Sequence, residues 1–271
     1  MSKHVNTLRP SIDWVINWRL VSIGAVLVIW QLFAMNADPR VFPGIVETAS
    51  ALWTVFSGAS DYGPATHIPL TLLRVAIAFI ATMTIGVPIG ILMGINDFTE
   101  DYLSVWALIL LTFPAVVWAF LGVLWFGFTT LLVPVFVATM TCIPFAIFNS
   151  WEGMKDVDQG ILEMADSFRV SRSRLWRDVF VPNLLPYVFA SMRMVVSVGW
   201  KVMLVAEIFG SQAGVGYVIN EMFLLQRNDM IIVWALPPML LIFLFERGLK
   251  RTEERLFEWR PEVRTQTSYG E

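Results

Sequence analysis

Residues 163–186 read EMADSFRVSRSRLWRDVFVPNLLP, a polar and arginine-rich stretch between two long apolar tracts. Arginine side chains and unpaired backbone groups are costly inside a bilayer, so this stretch belongs in water on one side of a membrane. Apolar residues recur there at helical spacing and predict two short helices, each with an apolar stripe. The stripes are Ile161, Leu162, Ala165 and Phe168, followed by Leu175, Trp176, Val179 and Phe180. Apolar faces outside a membrane predict a groove to fill, in this chain or in a partner.

The composition is typical of a membrane protein rather than of a soluble domain. Of the 271 residues, 56% are hydrophobic and 15% are charged, and the mean hydropathy is +0.65. In soluble domains, charged residues make up about a quarter of the chain. We therefore predict an all-α, polytopic membrane protein that forms one transmembrane domain over residues 1–271. The single cysteine, Cys142, excludes a disulfide within the chain, and His4 and His67 are too far apart for a histidine-rich metal site.

The lengths of the apolar tracts predict the number of membrane crossings, because one helical span needs about 20 apolar residues. They predict six transmembrane helices, at about residues 20–37, 70–96, 102–126, 130–151, 184–208 and 230–246. The uncharged run 102–151 is 50 residues long, too long for one span, and is divided near Gly127. Prolines inside the spans predict bends that serve either helix packing or a hinge. These prolines are Pro88, Pro114, Pro134 and Pro144.

The distribution of lysine and arginine predicts the orientation, because these residues favour the cytoplasmic side. The N-terminal segment, the loop 152–182 and the C-terminal segment together carry 14 of them. The opposite side carries only Arg40 and Arg227. Both termini and the loop 152–182, between the fourth and fifth spans, are therefore predicted to be cytoplasmic.

The loop 152–182 resembles the coupling loop of permease subunits in binding-protein-dependent ABC importers. That family carries an E-A-A tripeptide, a glycine four residues on, and a V-x-L-P-x-x-x-P run that opens the next membrane helix. The residues of this chain at the tripeptide and the run are Glu163, Met164, Ala165, Val179, Val181, Pro182 and Pro186.

The resemblance continues over most of residues 68–220. Five further runs of the family have counterparts here: S-L-x-R-V at residues 71–75, W-F-G at 124–127, P-Y-I-x-x-G-L-R at 186–193, A-E at 206–207 and G-L-G-Y-x-I at 214–219. Trp200 stands where the family has a tryptophan. The order and spacing of these runs point to the nitrate, sulfonate, taurine and bicarbonate group of importer permeases.

The resemblance implies a permease subunit that couples the passage of a small polar or anionic solute to ATP hydrolysis. The identity of the solute remains open between nitrate, a sulfonate or taurine, bicarbonate, an aromatic carboxylate and a vitamin precursor. The implied partners are two ABC ATPase subunits, an extracytoplasmic solute-binding protein, membrane lipid, and a second permease that is either another copy of this chain or a close relative. The implied location is the bacterial inner membrane, and no nucleic acid is expected. The chain has no G-x-x-x-x-G-K-[ST] run, so ATP and Mg are expected on the ATPase, and this chain is expected to have no cofactor and no catalytic residue.

The resemblance also implies which residues contact the ATPase, namely Glu163, Met164, Ala165, Phe168, Arg169 and Ser171. Ser171 is a candidate N-cap for the second short helix. Arg169 stands where the family has glycine, at a turn between two helices that favours positive φ. A residue with a Cβ atom costs about 1 kcal/mol in that conformation.

Charged and aromatic residues of the fifth predicted span are candidates for the solute pathway: Arg193, Trp200, Lys201 and Glu207. A lysine inside a span costs about 2.5–3.5 kcal/mol on insertion scales, so a structural or functional interaction of Lys201 should offset this cost. One hypothesis is that Lys201 faces a pathway between two permease copies and attracts an anion, with Arg193 as a second positive step. The alternative is structural: Lys201 pairs with a carbonyl group or with Glu207, or extends outward to water. Pairing with Glu207 within one helix is disfavoured, because six residues rotate Glu207 by about 240° from Lys201.

A stand-alone secondary transporter is the alternative function. It needs ionisable relay residues near the middle of the membrane, for which only Lys201, Arg193 and Glu207 qualify, and no inverted repeat is visible. An intramembrane protease is disfavoured because neither histidine lies in a span and no H-E-x-x-H run occurs.

The lysine and arginine distribution predicts the outcome of cysteine labelling in intact cells. Ser60→Cys should react with a membrane-impermeant thiol reagent, because the loop that contains it is predicted to be external. Gly270→Cys should react only after the cells are made permeable. Labelling of Gly270→Cys in intact cells, with none at position 60, would reverse the orientation.

Overall fold

The structure is a computed structural model that describes residues 12–58 and 61–256. These residues form eleven α-helices and one π-helical turn, and no strand. The helices are α1 (Ile12–Met35), α2 (Ile45–Phe56), α3 (Pro64–Ile95), α4 (Asp97–Thr112), α5 (Ala115–Phe126), α6 (Leu132–Lys155), α7 (Gln159–Ser167), α8 (Arg172–Leu175), α9 (Val181–Gly210), α10 (Val215–Leu224) and α11 (Asn228–Leu256). The predicted all-α class is confirmed for these residues. Both termini and Ser60 lie outside them, so the placement of these positions stays a prediction.

Four helical runs are long and apolar enough to cross a membrane, and they correspond to the predicted second, fourth, fifth and sixth spans. They are Pro64–Ile95, Leu132–Lys155, Arg172–Gly210 and Asn228–Leu249. The predicted first span, 20–37, corresponds to the apolar part of α1, Leu20–Met35. That part is shorter than the roughly 20 residues that a crossing normally requires.

The predicted third span, 102–126, is a broken helix rather than a continuous one. α4 and α5 meet at an angle of 95°. Phe113 lies between them in an extended conformation with φ −73° and ψ 125°, and Pro114 is the N-cap of α5. A proline disfavours helical conformation in the preceding residue and has no N–H to donate. The helix therefore ends before Pro114, which turns the predicted bend into a complete break.

The described residues divide into two compact units. One comprises residues 12–58, 61–63 and 221–234, and the other comprises residues 64–220 and 235–256. In the second unit, α3, α6 and α9 pack against one another and form the core. Buried apolar residues from these helices include Ala78, Val137, Met203 and Ala206. Cys142 of α6 is also buried, as expected for a small apolar side chain.

Three glycines of α3 allow this helix to approach α6 closely. Gly86, Gly90 and Gly94 recur every four residues and therefore share one face of the helix. A Cβ atom at Gly90 would lie 2.3 Å from the carbonyl oxygen of Ile147, and one at Gly86 would lie 2.6 Å from the Cβ atom of Ala146. Small residues at this spacing are typical of membrane helices, where close van der Waals contact drives association.

In the first unit, side chains hold the loop between α1 and α2 in place. The indole N–H of Trp30 donates to the carbonyl oxygen of Pro43 at 3.0 Å. The side-chain amide of Asn228, at the start of α11, donates to the carbonyl oxygens of Arg40 at 2.8 Å and Val41 at 3.1 Å. This loop therefore has a defined shape beside the start of α11.

Candidate functional site

The first candidate site is the segment between α6 and α9, which contains the residues predicted to contact an ATPase. The carboxylate of Asp158 accepts the N–H of Gly160 at 2.7 Å and caps the start of α7. No residue of α7 is buried. Met164 is 54% exposed, and Phe168, directly after the helix, is 77% exposed. Ala165 lies half-buried on the same helix, so the predicted apolar stripe is on the surface of this chain.

The chain turns after α7 at Arg169, which has a left-handed φ of 51°. Its N–H donates to the carbonyl oxygen of Asp166, and the N–H of Val170 donates to that of Ala165, both at 2.9 Å. The positive φ expected here is confirmed, although arginine stands in place of glycine. These two hydrogen bonds help to offset a conformational cost of about 1 kcal/mol. Arg169 and Glu163 are both exposed.

Ser171 occupies the N-cap position of α8, as predicted, but its side chain makes no capping hydrogen bond. α8 continues into a π-helical turn, Trp176–Phe180, and then into α9, so the second predicted stripe begins a long continuous helical run. In the turn, the N–H of Val181 donates to the carbonyl oxygen of Trp176, five residues earlier. Pro182 has no N–H for the next α-helical bond, which favours a wider turn at this junction.

The second candidate site lies inside the helical core, where Arg74 of α3 and Glu207 of α9 form an ion pair. The guanidinium Nη1 lies 2.5 Å from the carboxylate Oε1, and both side chains are completely buried. The hydroxyl of Thr71 lies 2.8 Å and 3.0 Å from the two carboxylate oxygens. The N–H of Gly216 donates to Oε2 at 2.8 Å. The buried carboxylate therefore has the partners that a charge needs away from water.

Arg74 also holds the loop between α9 and α10. Its Nη1 donates to the carbonyl oxygen of Ala213 at 2.8 Å, and its Nη2 donates to the hydroxyl of Ser211 at 3.0 Å. Gly214 in this loop has a φ of 112°, and a Cβ atom there would lie 2.4 Å from Oε1 of Glu207. Glycine is required at this position for both the backbone conformation and the space.

Three runs that resemble the importer family, at 71–75, 206–207 and 214–219, meet at this ion pair. Arg74 and Glu207 are 133 residues apart in the chain, and the sequence alone does not predict that they pair. The sequence nonetheless contains an indication of the pair, because Arg74 and Glu207 are opposite charges in two apolar tracts and each needs a partner.

The four residues proposed from the sequence to line the pathway fall into two groups. Trp200 and Glu207 are buried in this chain, so the structure places them inside the helical core and not on an open surface. Arg193 and Lys201 are exposed and lie about 80° apart around the axis of α9. Lys201 makes no hydrogen bond or ion pair with the described residues, and Glu207 pairs with Arg74 instead. The considered pairing of Lys201 with Glu207 is therefore not formed.

Comparison with known proteins decides the family. Residues 86–256, more than half of the chain, match the family of binding-protein-dependent transport system inner membrane components. The chain belongs to this family. It is a permease subunit of an ABC importer, as the resemblance of residues 163–186 implied, and the alternative of a stand-alone secondary transporter is no longer supported.

Relatives of this permease have names that refer to anions or sulfonates. The taurine transport system permease protein TauC of Escherichia coli is 25% identical over 89% of both chains. The nitrate import permease protein NrtB of Synechococcus elongatus is 25% identical over 80% of this chain and 84% of its own. The bicarbonate transport system permease protein CmpB of that species is 28% identical over 77% of both chains.

A solved structure shares the fold. A chain of the MetNI methionine ABC transporter, in an inward-facing conformation, matches with a TM-score of 0.59 at 16% identity. The match covers 69% of this permease and 92% of that chain. The described helices of this permease therefore have the ABC permease fold.

The buried ion pair predicts the outcome of a double-mutant cycle. Arg74→Met leaves the Glu207 carboxylate buried without a countercharge, and Glu207→Gln leaves the guanidinium in the same state. Each change is expected to destabilise the permease by about 3–5 kcal/mol. The double variant removes both charges and should recover a large part of the loss. Thermal unfolding of the four purified proteins in detergent measures the coupling, and strictly additive losses would contradict the pairing.

Proposed function

We propose that two copies of this permease form a transmembrane pathway for a small anionic solute and that α7 docks on a separate ATPase subunit in the cytoplasm. The observation that carries the proposal is that α7, a nine-residue helix, buries no residue in this chain, while Met164 on it and Phe168 directly after it are exposed. Short helices derive most of their stability from packing of an apolar face. Because the apolar face of α7 is exposed in this chain, we propose that a partner protein packs against it.

An ATPase subunit is the partner that suits this surface. The chain has no P-loop, so the proposal places ATP and Mg on the partner. Exposed charged residues lie on α7 and directly after it, and these are Glu163, Asp166, Arg169, Arg172, Arg174 and Arg177. An apolar centre with a charged rim has the anatomy of a protein–protein interface.

The proposed assembly has six spans in each permease copy, with both termini and the loop 152–182 in the cytoplasm. The apolar part of α1 serves as the first span, and the broken pair of α4 and α5 serves as the third. Two copies are related by a two-fold axis. Two ATPase subunits bind below them, and a solute-binding protein delivers the solute from outside. The lysine and arginine distribution supports this orientation.

A small anion is the proposed solute because two independent observations favour it. Taurine, nitrate and bicarbonate, which appear in the names of relatives, all contain an anionic group. In this chain, Lys201 is exposed on a membrane helix without a partner among the described residues. A pathway that passes Lys201 and then Arg193 would account for the cost of placing a lysine in the membrane.

The docking role of α7 predicts that Ala165→Trp uncouples transport. The permease should keep its thermal stability, because α7 buries no residue in this chain. ATPase binding or solute uptake should be lost, because the indole ring prevents close approach of the helix to its groove. Gln159→Trp is the control, since it lies on the same helix about 240° away. Normal assembly together with normal uptake in Ala165→Trp would contradict the docking role.

The proposed role of Lys201 predicts that Lys201→Met slows uptake of an anionic solute by about tenfold, which corresponds to about 1.4 kcal/mol of lost attraction. Assembly with the ATPase and basal ATP hydrolysis should be unchanged. Lys201→Arg keeps the positive charge and should retain most of the uptake. Uptake and assembly are measured in the same membranes. Unchanged uptake, or loss of the whole complex, would assign Lys201 to a structural role.

A further inference from the structure

We infer that Ser197 is a further residue that recognises the solute: its hydroxyl and the ammonium group of Lys201 bind two oxygens of one small oxyanion as it passes α9. Ser197 lies four residues before Lys201 and four after Arg193, so the three side chains share one face of the helix. The inference rests on the proposed function. It adds to the site of Lys201 a second hydrogen-bond donor and a chemical class of solute.

The two serines of α9 have different surroundings. Ser191 is completely buried, and its hydroxyl donates to the carbonyl oxygen of Tyr187 at 3.0 Å. Ser197 is half-buried, and its hydroxyl makes no hydrogen bond with the described residues. A serine in a membrane helix satisfies its hydroxyl on the carbonyl four residues earlier or on another helix. The free hydroxyl of Ser197 therefore indicates an acceptor that is outside the described chain.

Ser197 and Lys201 lie on the open face of α9. Residues of α9 that pack in the core lie on the opposite side of the helix, among them Val195, Gly199, Val202 and Ala206. Apolar residues beside Ser197 and Lys201 are also partly or fully exposed, and these are Met194, Leu204 and Ile208. A purely apolar face would suit lipid, but lipid offers no partner for a lysine or a hydroxyl. This combination indicates a face that borders a water-filled pathway.

The spacing of the two side chains suits an oxyanion. Residues four apart on a helix have Cβ atoms about 5–6 Å from each other. Side chains of a helix lean toward its N-terminus, so Lys201 extends back toward the turn that carries Ser197. Two oxygens of a nitrate, bicarbonate or sulfonate group can accept from both donors at once. Chloride has a single centre and cannot bridge them in this way, so the site favours oxyanions.

The charges around Ser197 favour an anion without holding it permanently. Glu207, the only acidic residue of α9, is buried in its ion pair about 240° around the helix from Lys201. Arg193 has an interaction of its own. From α6, the neutral amide of Asn149 lies 3.7 Å from the sulfur of Met194 on this side of α9. One ammonium group and one neutral hydroxyl attract an anion and still allow it to leave, as passage requires.

The first experiment tests whether position 197 borders water within the field of Lys201. Ser197→Cys is introduced into the full chain, and membrane vesicles are treated with two methanethiosulfonates of similar size, one carrying a sulfonate and the other a quaternary ammonium group. The wild-type chain, whose single Cys142 is buried, gives the background. We expect the sulfonate reagent to react about tenfold faster, because Lys201 attracts anions. Adding Lys201→Met should remove this preference.

Three results of the labelling would overturn the inference. Reaction no faster than the Cys142 background would place Ser197 against lipid or a second permease copy. Equal rates with the two reagents would show that no positive field acts at this position. A preference that survives Lys201→Met would assign the field to another group.

The second experiment tests whether the hydroxyl binds an oxyanion. Thermal unfolding of the purified transporter is measured while nitrate, bicarbonate or taurine replaces chloride at constant ionic strength, because a ligand stabilises the protein that binds it. We expect at least one of the three to raise the unfolding temperature of wild type. Ser197→Ala should raise the apparent Kd about tenfold, because it removes a hydrogen bond to a charged group. Ser197→Thr keeps the hydroxyl and should keep the Kd.

Ser191→Ala is the matched control, because it removes a hydroxyl that is satisfied within the chain, and its Kd should equal that of wild type. An equal loss of affinity in this control, an unchanged Kd in Ser197→Ala, or no stabilisation of wild type beyond chloride would overturn the inference. Binding of the ATPase is measured on the same proteins. Normal binding alongside an unchanged Kd in Ser197→Ala leaves the proposed function standing, whereas no binding by wild type contradicts the proposed function itself.

Discussion

The buried ion pair of Arg74 and Glu207 is the constraint on which the arrangement of the helical core depends. In a membrane interior, neither charge is tolerated without the other, and both are satisfied in only one register of α3 against α9. The ion pair therefore ties α3 to α9 at these two residues. It also fixes the loop into α10, because Arg74 binds that loop directly.

The positions of α7 and Lys201 follow from the packing of α3, α6 and α9. α3 approaches α6 through its glycine face, and α6 leads into α7 through the short connection capped by Asp158. α9 runs in one direction to the ion pair and in the other, through the π-helical turn, to α8. The exposed α7 and the exposed Lys201 are thus both attached to the same three packed helices. Under the proposed function, the ATPase displaces α7, and the packed helices transmit this movement to the solute pathway.

This permease leaves three surfaces open, each with a different chemistry. α7 exposes a small apolar face with a charged rim, α9 exposes single positive charges on an apolar helix, and the end of α10 with the residue after it exposes the large apolar side chains Phe223, Leu224 and Leu225. A monomeric protein rarely leaves such surfaces uncovered. Their number and variety agree with a component of a transport system, which is how the family is described.

The amino-acid sequence was sufficient to predict the all-α membrane class, the short helices between α6 and α9 and a bend at Pro114, and its resemblance to a known family indicated the turn at Arg169. These features depend on local properties: apolar run length, the missing N–H of proline, and the position of a turn within a motif. Three features required the packed helices to be seen: Glu207 pairs with Arg74, Trp200 is buried, and α4 and α5 are separate helices. Pairing and burial depend on which helix faces meet, and the partners here are 133 residues apart. An apolar tract shows that a helix lies in the membrane, but its nearly uniform hydrophobicity does not show which of its faces another helix covers.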